Sequence, residues 1–366
     1  MGQEVQRPYG SVPLKGRGAV GNPTGRFEAI AISEFTDSDW AEGFSDSEFQ
    51  PLPQTRFWTD HSKRIITTND SPDIAFEASV NPYRGCEHGC SYCYARPYHE
   101  YLGFSAGLDF ERNIIVKPEA PRLLRAALSA KSWVPKPIAI SGVTDCYQPA
   151  ERRFKLTRGC LEVLADFRNP VAMITKNALI TRDIDVLQDL ARYQAVCVMV
   201  SVTTLDEALV EKLEPRTSRP HRRLAAIRAL SDAGIPVGVM MGPIIPGLTD
   251  HEMAPVLQAA ADAGAITANY TLLRLAHGLG DLFAQWLEAH APMRKERVLN
   301  HVRGMHGGRL NNNTFGRRMR GAGHYADYIR QWFALTRKRV GLDASMPVLS
   351  TAHFRDPAGG QQLSLF

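Results

Sequence analysis

The run Asn81-Pro-Tyr-Arg-Gly-Cys86-Glu-His-Gly-Cys90-Ser-Tyr-Cys93-Tyr94 constrains this chain more than any other segment. Three of its six cysteines fall within eight residues. A disulfide framework spreads more cysteines through a shorter chain, so the clustering points to a metal site in a reducing compartment. The spacing is C-x3-C-x2-C, and three thiolates on one short loop can each take a corner iron of a [4Fe–4S] cluster. The fourth iron then lacks a cysteine and stays open to a ligand, as the open position of a catalytic zinc does. Gly85 and Gly89 let the backbone curl closely around such a group. The competing reading is structural zinc, with His88 or a distant cysteine as fourth ligand. Zinc ribbons usually bring two separated ligand pairs, and no second pair is visible, so the ligand set favours the cluster.

The surrounding pattern fits a catalytic placement. Residues 1–74 read as an irregular N-terminal extension, acidic from Glu28 to Glu48, with no packed core of its own. From about residue 75, apolar β-branched runs alternate with helical patterns. Strands are expected near 76–80, 138–142, 171–175, 196–202, 237–241 and 268–273. Helices are expected near 121–131, 155–167, 184–193, 205–213, 220–233 and 251–263. Repeated strand–helix units mean parallel strands with right-handed crossovers. The fold class is α/β, either a doubly wound sheet or a full or partial (β/α) barrel; both place ligands at the C-terminal strand ends. The cysteine run directly follows the first strand. Beyond 275 the alternation gives way to helical patterns at 281–290, 292–305 and 324–340. The expected organisation is an extension (1–74), a core (75–275), a basic helical region (276–355) and a tail (356–366). No stretch of about 20 uncharged apolar residues occurs, and Met1–Arg17 lacks the apolar centre of a secretory signal. The expected location is the cytoplasm.

The cysteine run, with Tyr92 before its last cysteine, resembles the radical S-adenosylmethionine (SAM) superfamily. The resemblance implies a partial (β/α)6 TIM-like barrel and a [4Fe–4S] cluster on Cys86, Cys90 and Cys93. It implies that the open iron chelates SAM, and that one electron cleaves the sulfonium to methionine and a 5′-deoxyadenosyl radical that abstracts hydrogen from a substrate. An external electron donor is then required. Tyr92 is expected near the adenine. Other candidate cofactor contacts sit at strand ends: Gly142, where the backbone can be approached, Asp145, Lys176 as partner of a carboxylate, and Ser201 with Thr203 as hydrogen-bond donors. Arg216 and Arg274 are candidate substrate contacts.

Within the superfamily, the Asn-Pro-Tyr-Arg-Gly-Cys lead-in, Thr144-Asp145, Thr175-Lys176 and Ser201 resemble the spore photoproduct lyase-like group, labelled DNA repair photolyases. The resemblance covers roughly residues 75–275 and implies a repair-type lyase acting on DNA. In that group a cysteine on the second strand donates a hydrogen atom. Its position corresponds to Gly142 or Val143 here, and Cys146 follows Thr144-Asp145 instead. Cys146 is the candidate hydrogen-atom donor, with an inert core thiol as the alternative.

Two further features point toward DNA. Between Arg294 and Val340 there are twelve Lys/Arg against only Glu296 and Asp327, a block suited to phosphates. The chain ends Gln362-Leu363-Ser364-Leu365-Phe366, which looks like the bacterial sliding-clamp binding motif, behind a spacer at Asp356–Gly360. The expected partners are DNA and the clamp. The alternatives are radical modification of RNA, protein or a small molecule, and a nucleic-acid- or clamp-binding protein whose cluster is structural or senses redox state.

Overall fold

The computed structural model describes residues 16–19, 22, 54–74, 76–140 and 142–357. The clamp-like tail and most of the N-terminal extension lie outside these residues.

The strands are β1 (Arg56–Thr59), β2 (Ile66–Thr68), β3 (Ala78–Val80), β4 (Tyr83–Arg84), β5 (Asn113–Val116), β6 (Ile138–Ile140), β7 (Val171–Thr175), β8 (Val196–Ser201), β9 (Val237–Ile244) and β10 (Thr267–Leu272). The helices are α1 (Leu108–Arg112), α2 (Ala120–Leu128), α3 (Glu151–Phe154), α4 (Leu156–Phe167), α5 (Ile184–Ala191), α6 (Glu207–Leu213), α7 (Pro220–Asp232), α8 (Met253–Asp262), α9 (Leu279–His290), α10 (Lys295–Met305) and α11 (His324–Arg339).

Strand order decides between the two α/β architectures. The main sheet runs β10-β9-β8-β7-β6-β3-β2. Its six parallel strands therefore lie in chain order, with β2 antiparallel at one edge. Every crossover steps one place in the same direction, and right-handed crossovers then put all the helices on one face. A doubly wound sheet would reverse its order midway. The arrangement is that of a partial barrel, with no closing strand pair among the described residues.

Burial follows the same geometry. Along β7 and β8, Val171, Met173, Thr175, Val196, Val198 and Val200 are buried, while Ala172, Ile174, Cys197 and Met199 are half-buried. The apolar members of the first set join the helices in the main core. The second set forms an inner wall that retains access.

Two expected boundaries shift. Residues 54–74 are not irregular: β1 pairs in parallel with β5, and β2 pairs antiparallel with β3. Both strands are short and largely exposed, so they carry little apolar periodicity to read. The C-terminal region is likewise part of the core structure. The Leu272 N–H donates to Met319 O at 2.9 Å, and the Ala268 N–H to Leu342 O at 3.3 Å, covering the edge of β10. Arg318 reaches Asp73 at 2.5 Å, and the Gly316 N–H donates to the same carboxylate at 2.6 Å. One segment thus ties β10 to the loop between β2 and β3 across the open side. Helices α9 and α10 share a second apolar core with Cys90 and Tyr92, through Phe283, Trp286, Leu287 and Val302.

A buried pair anchors the cysteine loop to this frame. Arg96 and Glu111 are both fully buried, and their side chains meet at 2.5 Å. Arg96 also donates to Cys90 O, Ala106 O and Gly107 O. Glu111 accepts the Gly18 and Ala19 N–H groups at 3.1 and 2.9 Å, which lays an N-terminal strap against the loop. The fit is tight: a Cβ on Gly18 would lie 1.6 Å from Gly89 O. Removing one partner of a buried ion pair leaves an uncompensated charge. Glu111→Ala is expected to lower stability to urea by about 3–5 kcal/mol; a loss within about 1 kcal/mol would show that the pair does not anchor the loop.

Candidate radical site at the C-terminal strand ends

The cysteine loop leaves β4 and curls back over the C-terminal ends of the parallel strands. Gly85 and Gly89 take φ of +75° and +67°, a left-handed conformation that glycine adopts without penalty. The loop's backbone is held from outside. The Cys86 N–H donates to Phe110 O at 2.9 Å, the Glu87 N–H to Gln148 Oε1 at 2.9 Å, and the Ser91 N–H to Leu213 O at 3.0 Å. Gln148 Nε2 returns a bond to Gly85 O at 3.1 Å.

The thiols fit a cluster. None is in a disulfide. Burial pushes all three up, reinforced at Cys86 by Asp145 and the other two cysteines, and at Cys90 by Glu214. Such thiols keep their protons until a metal displaces them. The Ser91 hydroxyl beside Cys90 is buried and has no hydrogen-bond partner, a donor left over on this loop. The zinc alternative loses His88 as a fourth ligand. His88 Nδ1 lies 3.4 Å from Asp145 Oδ2, and its Nε2 lies 3.2 Å from Asn177 Nδ2, so both ring nitrogens are engaged elsewhere. No group of three His, Cys, Asp or Glu side chains among the described residues is set to hold a single ion. A cubane asks for thiolates separated onto different corners.

Beside the loop lies a buried polar network that sequence reasoning only partly saw. Lys176 Nζ, just past β7, donates to Gly242 O at 2.7 Å and to Thr203 Oγ1 at 3.3 Å, and faces Glu214 Oε1 at 3.4 Å. Thr203 donates to Glu214 at 2.7 Å, and the Tyr92 hydroxyl donates to the same carboxylate. Arg223 closes the other side of Glu214 and donates to Ser201 O at 3.0 Å. Burial pushes the Glu214 carboxyl up, but Arg223, Lys176 and the hydroxyl bonds outweigh it and hold the group well below the usual carboxylate range. Tyr92 and Lys176 meet in this network, and Ser201 enters it through its backbone carbonyl. Glu214 and Arg223 were missed, because a Glu before Pro215 and an Arg on an amphipathic helix carry no local signal.

The remaining candidates divide. Gly142 stands at the mouth, its carbonyl accepting from the Tyr94 hydroxyl at 2.8 Å. A Cβ there would meet Ser79 Cβ at 3.3 Å. Asp145 is a girder between elements. It accepts from Thr175 Oγ1 and the Lys176 N–H, both at 2.7 Å, and faces His88 of the cysteine loop. Burial raises its carboxyl, yet His88 and these bonds hold it below the ordinary range. Cys146 is 1% exposed and lies in the main apolar core. Arg216 pairs with Glu87 at 3.0 Å and so braces the loop. The Arg274 guanidinium sits 5.5 Å from the centre of the exposed Tyr94 ring.

The Glu214 network makes stability depend on acid. A carboxylate with a depressed folded pKa contributes fully above its unfolded value of about 4.3, and the contribution fades as pH falls toward the folded value. The wild-type chain is expected to lose stability progressively as pH falls below about 5. Glu214→Gln should be weaker at pH 7 by about 3–5 kcal/mol and show a flatter acid limb in urea titrations. Parallel limbs in the two proteins would rule Glu214 out as the titrating group.

Comparison with known proteins agrees with this geometry. Residues 80–260 match the Radical SAM superfamily. The Mycobacterium bovis protein named Uncharacterized protein Mb2609c is 37% identical over 221 residues, which is 60% of this chain and 65% of that protein's length. The Methanocaldococcus jannaschii protein named Uncharacterized protein MJ0683 is 30% identical over 173 residues, 47% of this chain and 62% of that protein. The chain thus spans somewhat under two thirds of the length of these relatives. Among solved structures, a spore photoproduct lyase mutant superposes with a TM-score of 0.56 at 13% identity, covering 78% of each chain. A second spore photoproduct lyase structure, complexed with dinucleoside spore photoproduct, gives 0.55, with the same identity and coverage. At this identity the likeness concerns the fold. The matched residues, 80–260, carry the three-cysteine loop at the strand ends and are those that resemble the Radical SAM superfamily.

Proposed function

We propose that this chain is a radical SAM enzyme acting on DNA, as a repair-type lyase, with a [4Fe–4S] cluster on Cys86, Cys90 and Cys93 and SAM as cosubstrate. The superfamily uses both groups. With them bound, electron transfer cleaves the sulfonium and supplies a 5′-deoxyadenosyl radical for hydrogen abstraction. The chain's own residues bind and orient. The loop's outward-held backbone keeps the thiols facing the barrel mouth. Lys176 offers an ammonium to a carboxylate-bearing ligand, with Glu214 and the Gly242 carbonyl holding it in place until the ligand arrives. Gly142 lets the rest of the ligand approach the backbone at the strand end. Cys146 serves as hydrogen-atom donor in this proposal only if local rearrangement uncovers its thiol.

One observation favours a nucleic-acid substrate. Tyr94, Tyr98 and Tyr101 are exposed at 42%, 55% and 66%, directly after the last cysteine, with Arg274 against Tyr94. Tyr98 and Tyr101 lie 6.5 Å apart between ring centres. Exposed aromatics beside arginine form a stacking platform for unpaired bases. The spore photoproduct lyase structure complexed with a dinucleoside lesion supports the same substrate class. A sliding-clamp partner rests on Gln362–Phe366 alone. No helix among the described residues is long and apolar enough to cross a membrane.

Anaerobic reconstitution is expected to load roughly four irons per chain, and reductant with SAM should release 5′-deoxyadenosine. Cys86→Ala, Cys90→Ala and Cys93→Ala should each lose the iron–sulfur absorbance and the release; a zinc-loaded protein without SAM turnover would overturn the reading. Separately, Tyr98→Ala and Tyr101→Ala should weaken single-stranded DNA binding by about 1–3 kcal/mol per stacked base, leaving DNA-independent 5′-deoxyadenosine release unchanged. No DNA binding at low salt would move the substrate to another class.

A further inference from the structure

A cavity of about 680 Å³ lies between β10, the 316–323 segment and α11. None of its lining belongs to the cysteine loop or the Lys176–Glu214 network. Arg317, Arg320, Arg330 and Arg337 line it, against the single carboxylate of Asp327. Asp327 is already paired with Arg330 at 2.8 Å. Arg320 donates to the Asn269 amide oxygen, and Arg337 to Ala268 O at 3.4 Å, both neutral acceptors. Among the described residues, no carboxylate faces Arg317, Arg320 or Arg337 in an ion pair. Three guanidinium charges therefore converge without a counter-charge, where mutual repulsion favours an anion.

The cavity is shaped as well as charged. The Arg320 guanidinium lies 4.0 Å from the centre of the Tyr270 ring, and that ring packs against Phe333 at 4.6 Å. Tyr270 is 4% exposed and forms part of the cavity wall. Helix α11, sixteen residues long, begins at the same wall, and its N-cap Gly323 offers no side-chain cap. Its first N–H groups and dipole add to the positive end.

We propose that this cavity is a second site, binding phosphate groups through the four arginines and the α11 N-terminus. A tetrahedral anion with several oxygens can take donors arriving from both the 316–323 segment and α11, and guanidinium forks match its edges. The phosphate belongs either to a free nucleotide-like ligand or to a nucleic-acid backbone passing the enzyme. The proposal stands whether or not the radical reading does, since it concerns different residues and a binding readout.

The test is calorimetric titration of the full chain with pyrophosphate, and separately with a single-stranded oligonucleotide of about 12 residues. Both titrations are run at about 50 and 200 mM salt. Saturable pyrophosphate binding is expected. Arg317→Gln with Arg330→Gln, both exposed positions, should weaken it about ten-fold or more. Competition between the two probes identifies the strand as the phosphate source, and simultaneous binding identifies a free phosphate ligand; either supports the site. Absence of pyrophosphate binding at millimolar concentration, or equal binding by wild type and the double variant, overturns it.

Discussion

Two buried carboxylates, Glu111 and Glu214, hold the cysteine loop from opposite sides, and the site depends on both. Each faces a fully buried arginine, Arg96 and Arg223. Glu111 gathers the loop's outer face, the α1 region and the N-terminal strap. Glu214 gathers Tyr92, Thr203 and Lys176 at the inner face. A charge taken out of water is tolerated only when its lone pairs are filled, and here nearly every acceptor position is used. Such pairs add little to net stability against apolar replacements. They fix one geometry, and a loop presenting three thiols at set positions needs one geometry.

The thiols themselves are left without such partners. Their environment opposes thiolate formation in the empty loop, through burial first and nearby carboxylates second. Metal loading must therefore release protons and assemble the site's charge balance at the same moment. Arg96 and Lys176, both beside the thiols, supply the cationic counterpart. The inner wall of half-buried Ala172, Ile174, Cys197 and Met199 leaves the barrel mouth apolar below and polar at its rim. That combination suits an extended ligand with a charged end held at the strand termini.

Much of this site was legible beforehand. Cys86, Cys90 and Cys93 announced themselves through spacing, and Lys176 through its place at a strand end. Asp145 was legible as a strand-end acid, but its partners turned out to be Thr175, Lys176 and His88. The strands 171–175 and 196–201 stood out because helices bury one of their faces completely. By contrast β1, β2, β4 and β5 escaped notice. All are two to four residues long, too short to repeat an apolar position; β1 and β2 are mostly exposed besides, and β5 is buried throughout.

The division follows from distance along the chain. Ligand spacing and strand–helix alternation are local properties, set within a few residues by backbone geometry, and the sequence alone determined them. The choice between a doubly wound sheet and a barrel, and the meeting of Glu214 with Tyr92 across 122 residues or of Lys176 with Gly242 across 66, needed the tertiary structure. Those contacts depend on strand order, register and twist summed over the whole sheet, and no local pattern of residue types encodes which polar group will lie opposite another.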